Sequence, residues 1–116
     1  MKSELIIDKE IFAEKLSEQI KLGKILLERN INSIDDLESL KKDSKDWSDY
    51  NGELLKRSFS IPDNEYKNEY KKSVLGWGVL GNKSFTEKVK ECKNNIQKRI
   101  NCLESIHKRI DLMQVT

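Results

Sequence analysis

The 116-residue chain is 36% hydrophobic and 36% charged, carries one proline and five glycines, and has a formal net charge of +2. That length supports one domain, residues 1–116, with a single core, and so few turn residues exclude a β-sandwich or barrel. Charge is uneven, with 11 basic and 13 acidic residues in 1–58 against 11 basic and 7 acidic in 59–116; the second half is the better surface for an anion, yet well short of a dedicated nucleic-acid patch.

After the apolar lead Leu5-Ile6-Ile7, Asp8 is a suitable N-cap for a first helix running to about Arg29. Phe12, Leu16, Ile20, Gly23 and Leu27 recur at helical steps and form its core-facing stripe. Gly23 costs about 1 kcal/mol against alanine in a helix interior, and on that stripe it lets another helix come close. Asn30-Ile31-Asn32 is the break. Ser33 with Asp36 predicts a second cap and a short helix bearing Ile34, Leu37 and Leu40, ending in Lys41-Lys42.

A third helix is expected from Asp43 or Ser44 to about Ser58, carrying Trp47, Tyr50 or Asn51, Leu54 and Leu55, with Phe59 after it and Gly52 as a weak point. Ser60-Ile61-Pro62-Asp63 is the firmest boundary, because proline disfavours helical geometry in the residue before it and Asp63 can cap the next helix. That fourth helix, Asn64 to about Val74, bears Tyr66 and Tyr70 on one face. Residues 75–82 form an apolar, glycine-rich loop around Trp77, either a core plug or a side chain displayed to a partner.

The last predicted helix, Ser84 to Met113, carries a seam of Phe85, Val89, Cys92, Ile96, Ile100, Leu103, Ile106, Ile110 and Met113 at a mean step of 3.5 residues. Ser84 with Glu87 fits a capping box. At ~1.5 Å per residue this helix would run about 45 Å, longer than a small domain is wide. The sequence therefore predicts an all-α bundle of about five helices with a long C-terminal helix, packed on the first and third. The aromatic residues at 47–85 would cover the first half of the seam, as a hub or as an exposed hot spot. The end from Ile100 would overhang and meet a partner or a second copy.

Catalytic and metal chemistry find little support. His107 is the only histidine and reads as a solvated cation near a helix C-terminus. Asp43, Asp46, Asp49 and Glu53 alternate with lysines as a solvated face does. Cys92 reads as a small buried hydrophobe. Cys92 and Cys102 lie ~15 Å apart along one helix, too far for a disulfide. Lys88, Lys90, Lys93, Lys98, Arg99, Lys108 and Arg109 form a solvated face of the last helix. With no signal-peptide core and no run of ~20 apolar residues, the chain is expected to be cytoplasmic and off the membrane, with two reduced thiols. Its Lys-, Asn- and Ile-rich composition suits an A+T-rich bacterial or phage genome.

The string Trp47-x-x-Tyr50-Asn51-x-x-Leu54-Leu55-x-x-x-Phe59, preceded by the helix holding Ile20, Gly23 and Leu27, resembles the helical region ahead of TIR-like or nucleotide-binding effector domains in some bacterial defence proteins, over about residues 10–70. The resemblance implies an accessory or oligomerising module, with the effector activity in another segment or chain. The expected function is therefore non-enzymatic, a protein–protein interaction, assembly or regulatory module of a bacterial or phage defence or counter-defence system. It needs no cofactor or metal. Its partner is a protein or another copy, met through Trp77, Ile100, Leu103, Ile106, Ile110 and Met113. The alternative is a small nucleic-acid-associated regulator using the basic second half.

Overall fold

The computed structural model describes residues 3–74 and 83–116. These form four α-helices, α1 (Lys9–Leu27), α2 (Ile34–Arg57), α3 (Glu65–Lys72) and α4 (Phe85–Lys108), followed by a 3₁₀ turn, Ile110–Leu112. The all-α architecture is as expected, with four helices among the described residues instead of five. The caps read from sequence are present at three starts, each side chain accepting a backbone N–H of the first turn: Asp8 from Glu10 at 2.9 Å, Ser33 from Asp36 at 3.1 Å and Ser84 from Glu87 at 3.2 Å. At α3 the cap is Asn64 in place of Asp63. Its Oδ1 accepts from the Lys67 N–H at 2.8 Å while its Nδ2 donates to the carbonyls of Leu55 and Ile61, so one buried amide joins α2 to α3.

The expected second and third helices are one. Leu37, Leu40, Ser44, Trp47, Asn51 and Leu54 are all buried along α2, at alternating steps of three and four, so its inward stripe runs unbroken through Lys41-Lys42-Asp43. No proline or glycine interrupts that stretch, and a lysine pair fits the middle of an exposed helix face as well as its end.

α1 packs chiefly on α4 and also on α2. The closest approach is at Gly23, where a Cβ would stand 2.6 Å from Trp47 Cζ2 and 2.8 Å from Ile100 Cγ1. Trp47 is held in place by its indole N–H, which donates to the Gln19 carbonyl at 2.9 Å. Phe12 meets Phe59 edge-on with ring centres 5.4 Å apart, and Phe59 stacks on Tyr66 at 4.7 Å. The aromatic hub thus exists, although Tyr50 and Phe85 lie outside it, exposed.

The seam of α4 is covered in the reverse order from that expected. Ile96, Ile100, Leu103 and Ile106 are fully buried and Ile110 and Met113 nearly so, whereas Phe85 is exposed and Val89 and Cys92 are half-buried. The C-terminal end does not overhang: α4 stops at Lys108, its 24 residues spanning ~36 Å, and Ile110 and Met113 beyond it are buried. The chain then doubles back, and the segment at Leu5 lies between two others. The Leu5 N–H donates to the Gln114 carbonyl and the Thr116 N–H to the Leu5 carbonyl; on the other side, the Ile6 N–H donates to Ser58 and the Ser60 N–H to Glu4. Leu5 is completely buried at the centre.

The two helical glycines should respond oppositely to alanine. Gly23→Ala forces Trp47 and Ile100 aside and is expected to cost about 1–3 kcal/mol as an overpacked core. At Gly52 a Cβ meets nothing within 4 Å, so Gly52→Ala should stabilise by about 0.5–1 kcal/mol through helix propensity alone. Urea denaturation of both variants checks the pair, and equal effects would contradict the packing described.

Candidate functional site

Of the expected partner-binding residues, Ile100, Leu103, Ile106, Ile110 and Met113 lie in the chain's own core, packed with Leu5, Phe12 and Leu16. Their apolar surface is spent on folding, which corrects the expectation that this end of the seam is short of cover. Trp77 falls outside the described residues.

A different apolar surface is open. Ile11, Leu22 and Ile25 project from α1, all exposed; at 100° per residue they fall within about 60° of one another on a face turned away from the core stripe. Between the start of α1 and the end of α2 lies a largely apolar cleft of about 380 Å³ lined by Ile7, Tyr50 and Leu54 together with Lys15, Ser58 and the Glu53–Arg57 pair. Lys15 stands four residues after Ile11, on the same face. Tyr50 is 48% exposed, an aromatic side chain half out of the protein at a cleft edge. The sequence held this signal, but the stronger stripe of Phe12, Leu16 and Gly23 hid it.

The second concave surface is polar. Two cavities of about 300 and 590 Å³ lie along α2, the first against α4 and the second against α3, and share Ser48, Asp49 and Arg99. α2 lines them with Lys41, Lys45, Ser48, Gly52 and Lys56, again at helical steps. Asp49 is taken up by Lys45 at 2.9 Å, and Glu53 by Arg57 at 2.9 Å. Those pairings lift the Lys45 ammonium above its ordinary value and hold the Glu53 carboxyl below its own. Glu91 is paired with Lys83. In the wall, Asn51 Nδ2 donates to the Tyr70 hydroxyl at 3.0 Å, and Tyr70 donates to Ser48 Oγ at 3.1 Å. Burial pushes the Tyr70 phenol above its ordinary value, against the opposing pull of those hydrogen bonds and of Arg99.

The remaining sequence candidates resolve as structural groups. His107 is a half-buried tie from α4 to α1, with Nε2 3.1 Å from the Ser17 hydroxyl, and not the fully solvated side chain expected. Asp43 pairs with Arg29 at 2.6 Å and so fastens α2 to the end of α1. Among the described residues no three His, Cys, Asp or Glu side chains converge as a metal site, and no helix is long and apolar enough to cross a membrane. Both cysteines are free, Cys102 buried and Cys92 half-buried at the polar groove. No protein-family model, curated protein or solved structure matches the chain.

Burial raises the Cys102 thiol from its ordinary value of 9.0 to about 11. A raised thiol pKa means that the fold favours the neutral form, so its contribution is intact below pH 9 and is lost as pH rises through about 11. Denaturation midpoints measured between those limits should fall less steeply in Cys102→Ala than in the parent. In native protein a thiol reagent should modify Cys92 well before Cys102.

Proposed function

We propose that this protein is a protein-interaction module whose docking surface is the outer face of α1 together with the apolar cleft it shares with α2, and that its partner seats an apolar side chain against Tyr50. The observation that carries this is the cleft itself, an apolar recess lined by an exposed tyrosine and by Lys15, which shares a helix face with the exposed Ile11, Leu22 and Ile25. Interface energy concentrates where an aromatic anchor meets a pocket within a contiguous apolar patch. Arg57 is already paired with Glu53, which lines the same cleft, so the Lys15 ammonium is the lining cation that favours a partner segment with an acidic residue beside its apolar anchor.

The resemblance of the Trp47–Phe59 string to helical regions of bacterial defence proteins supports placing the module in a bacterial or phage defence or counter-defence system, as an assembly or regulatory component. In this role α1 and α2 form the interface and α4 the internal support, since its seam from Ile96 onward is already occupied.

A photo-cross-linking residue placed in turn at Tyr50, Ile11 and, as a control, the exposed Lys98 of α4 tests the surface in the native host. The expected outcome is one defined adduct from positions 50 and 11 and none from 98, with the adduct lost in Ile25→Glu while helical circular dichroism is unchanged. Mass spectrometry of the adduct distinguishes an effector chain from a second copy. The same adducts from all three positions, or none from 50 and 11, would remove the docking surface.

A further inference from the structure

We propose that the polar groove along α2 binds a small oligophosphate, a molecule with two or more linked phosphate groups, and that Arg99 is its principal anion-binding side chain. Arg99 is half-buried where the two cavities join, and among the described residues its guanidinium has no carboxylate partner. Its five N–H donors form a rigid fork that matches phosphate oxygens two at a time. Groove acids do not compete for it, because Asp49, Glu53 and Glu91 are already paired with Lys45, Arg57 and Lys83. Lys88 at one end and Lys56 and Lys71 at the other line the same groove with no carboxylate partner among the described residues.

The hydrogen bonds of the wall run in one direction. Asn51, fully buried, donates to Tyr70, and Tyr70 donates to Ser48. Ser48 Oγ accepts that hydrogen bond and has its own O–H to donate, and Ser48 lines both cavities beside Arg99. Together the two linings hold seven cationic side chains against three carboxylates. The matching ligand atom is an acceptor-only oxyanion. A chain of such oxyanions is required to reach the lysines on either side, which a single carboxylate does not supply.

Room is available as well. The cavities of about 300 and 590 Å³ fall within the roughly 300–1,000 Å³ of small-molecule sites, and the Gly52 position opens onto empty space in the larger one. A side chain there would narrow the groove without touching the core.

Calorimetric titration of the full chain with inorganic tripolyphosphate, ATP and a short oligothymidylate tests the proposal at about 50 and about 200 mM salt. One saturable site for tripolyphosphate is expected, weakened about tenfold or more in Arg99→Gln, severalfold in Ser48→Ala, and lost in Gly52→Leu, with Lys98→Gln unchanged. Equal binding of ATP and tripolyphosphate identifies the phosphate chain as the recognised group, and tighter binding of ATP identifies a nucleotide; both uphold the site. Binding that ignores Arg99→Gln and Gly52→Leu overturns it. So does the absence of binding, or binding of oligothymidylate alone, which would turn the groove into a nucleic-acid surface. Each variant is checked by its thermal midpoint, and Lys56→Gln repeats the test should Arg99→Gln fail to fold.

Discussion

The structure depends on one close approach, that of the α1 backbone at Gly23 to Trp47 of α2 and Ile100 of α4. Here three helices converge where one side chain is left out. Gly23 is that omission, and the Trp47 ring fills the space it leaves. The indole N–H fixes the ring by bonding to the Gln19 carbonyl one turn earlier on α1, so the contact sets the rotation of α1 as well as its distance. With α1 so placed, Phe12 and Leu16 fall over the far half of α4 and bury it. The cost in helix propensity, about 1 kcal/mol, is small beside the apolar surface that closes around Ile100, Leu103 and Ile106.

Local rules carried the sequence a long way. Three of four caps, the Phe12, Leu16 and Gly23 places of the α1 stripe and the boundary at Pro62 are all set by neighbours a few residues apart, whereas Gln19 and Leu26 are buried and the expected Ile20 and Leu27 only half-buried. The failures share a different cause. α2 looked like two helices because Lys41-Lys42 reads as a helix end and the next place on the inward stripe is Ser44, a buried polar residue. The far end of α4 looked unpartnered because its cover comes from Leu5 and Phe12, about a hundred residues away, and the lead Leu5-Ile6-Ile7 has no pattern of its own. α4 ends at Lys108 without a glycine or proline, since the return of Gln114–Thr116 to Leu5 is a tertiary demand.

The two candidate surfaces were least legible of all. α2 turns Tyr50 and Leu54 toward the apolar cleft and Ser48, Gly52 and Lys56 toward the polar groove, while Glu53 borders both. One helix with three distinct faces, inward, apolar and polar, carries too many overlapping periods for any to stand out in sequence. Arg99 is hidden in the same way, one basic residue among many on α4 until the fold sets it against Ser48 and Tyr70.

The strand-like clasp at Leu5 has a consequence for how the molecule opens. Its hydrogen bonds draw together residues 4–6, 58–60 and 114–116, three segments with no helix of their own to hold them. Residues 4–6 bond to both of the others, so their release frees the amides of Leu5, Ile6, Ser60 and Thr116 in one step of native-state hydrogen exchange. Their protection would rise and fall together, as one lock on the buried end of α4, and the first opening of the core would be read at both ends of the chain at once.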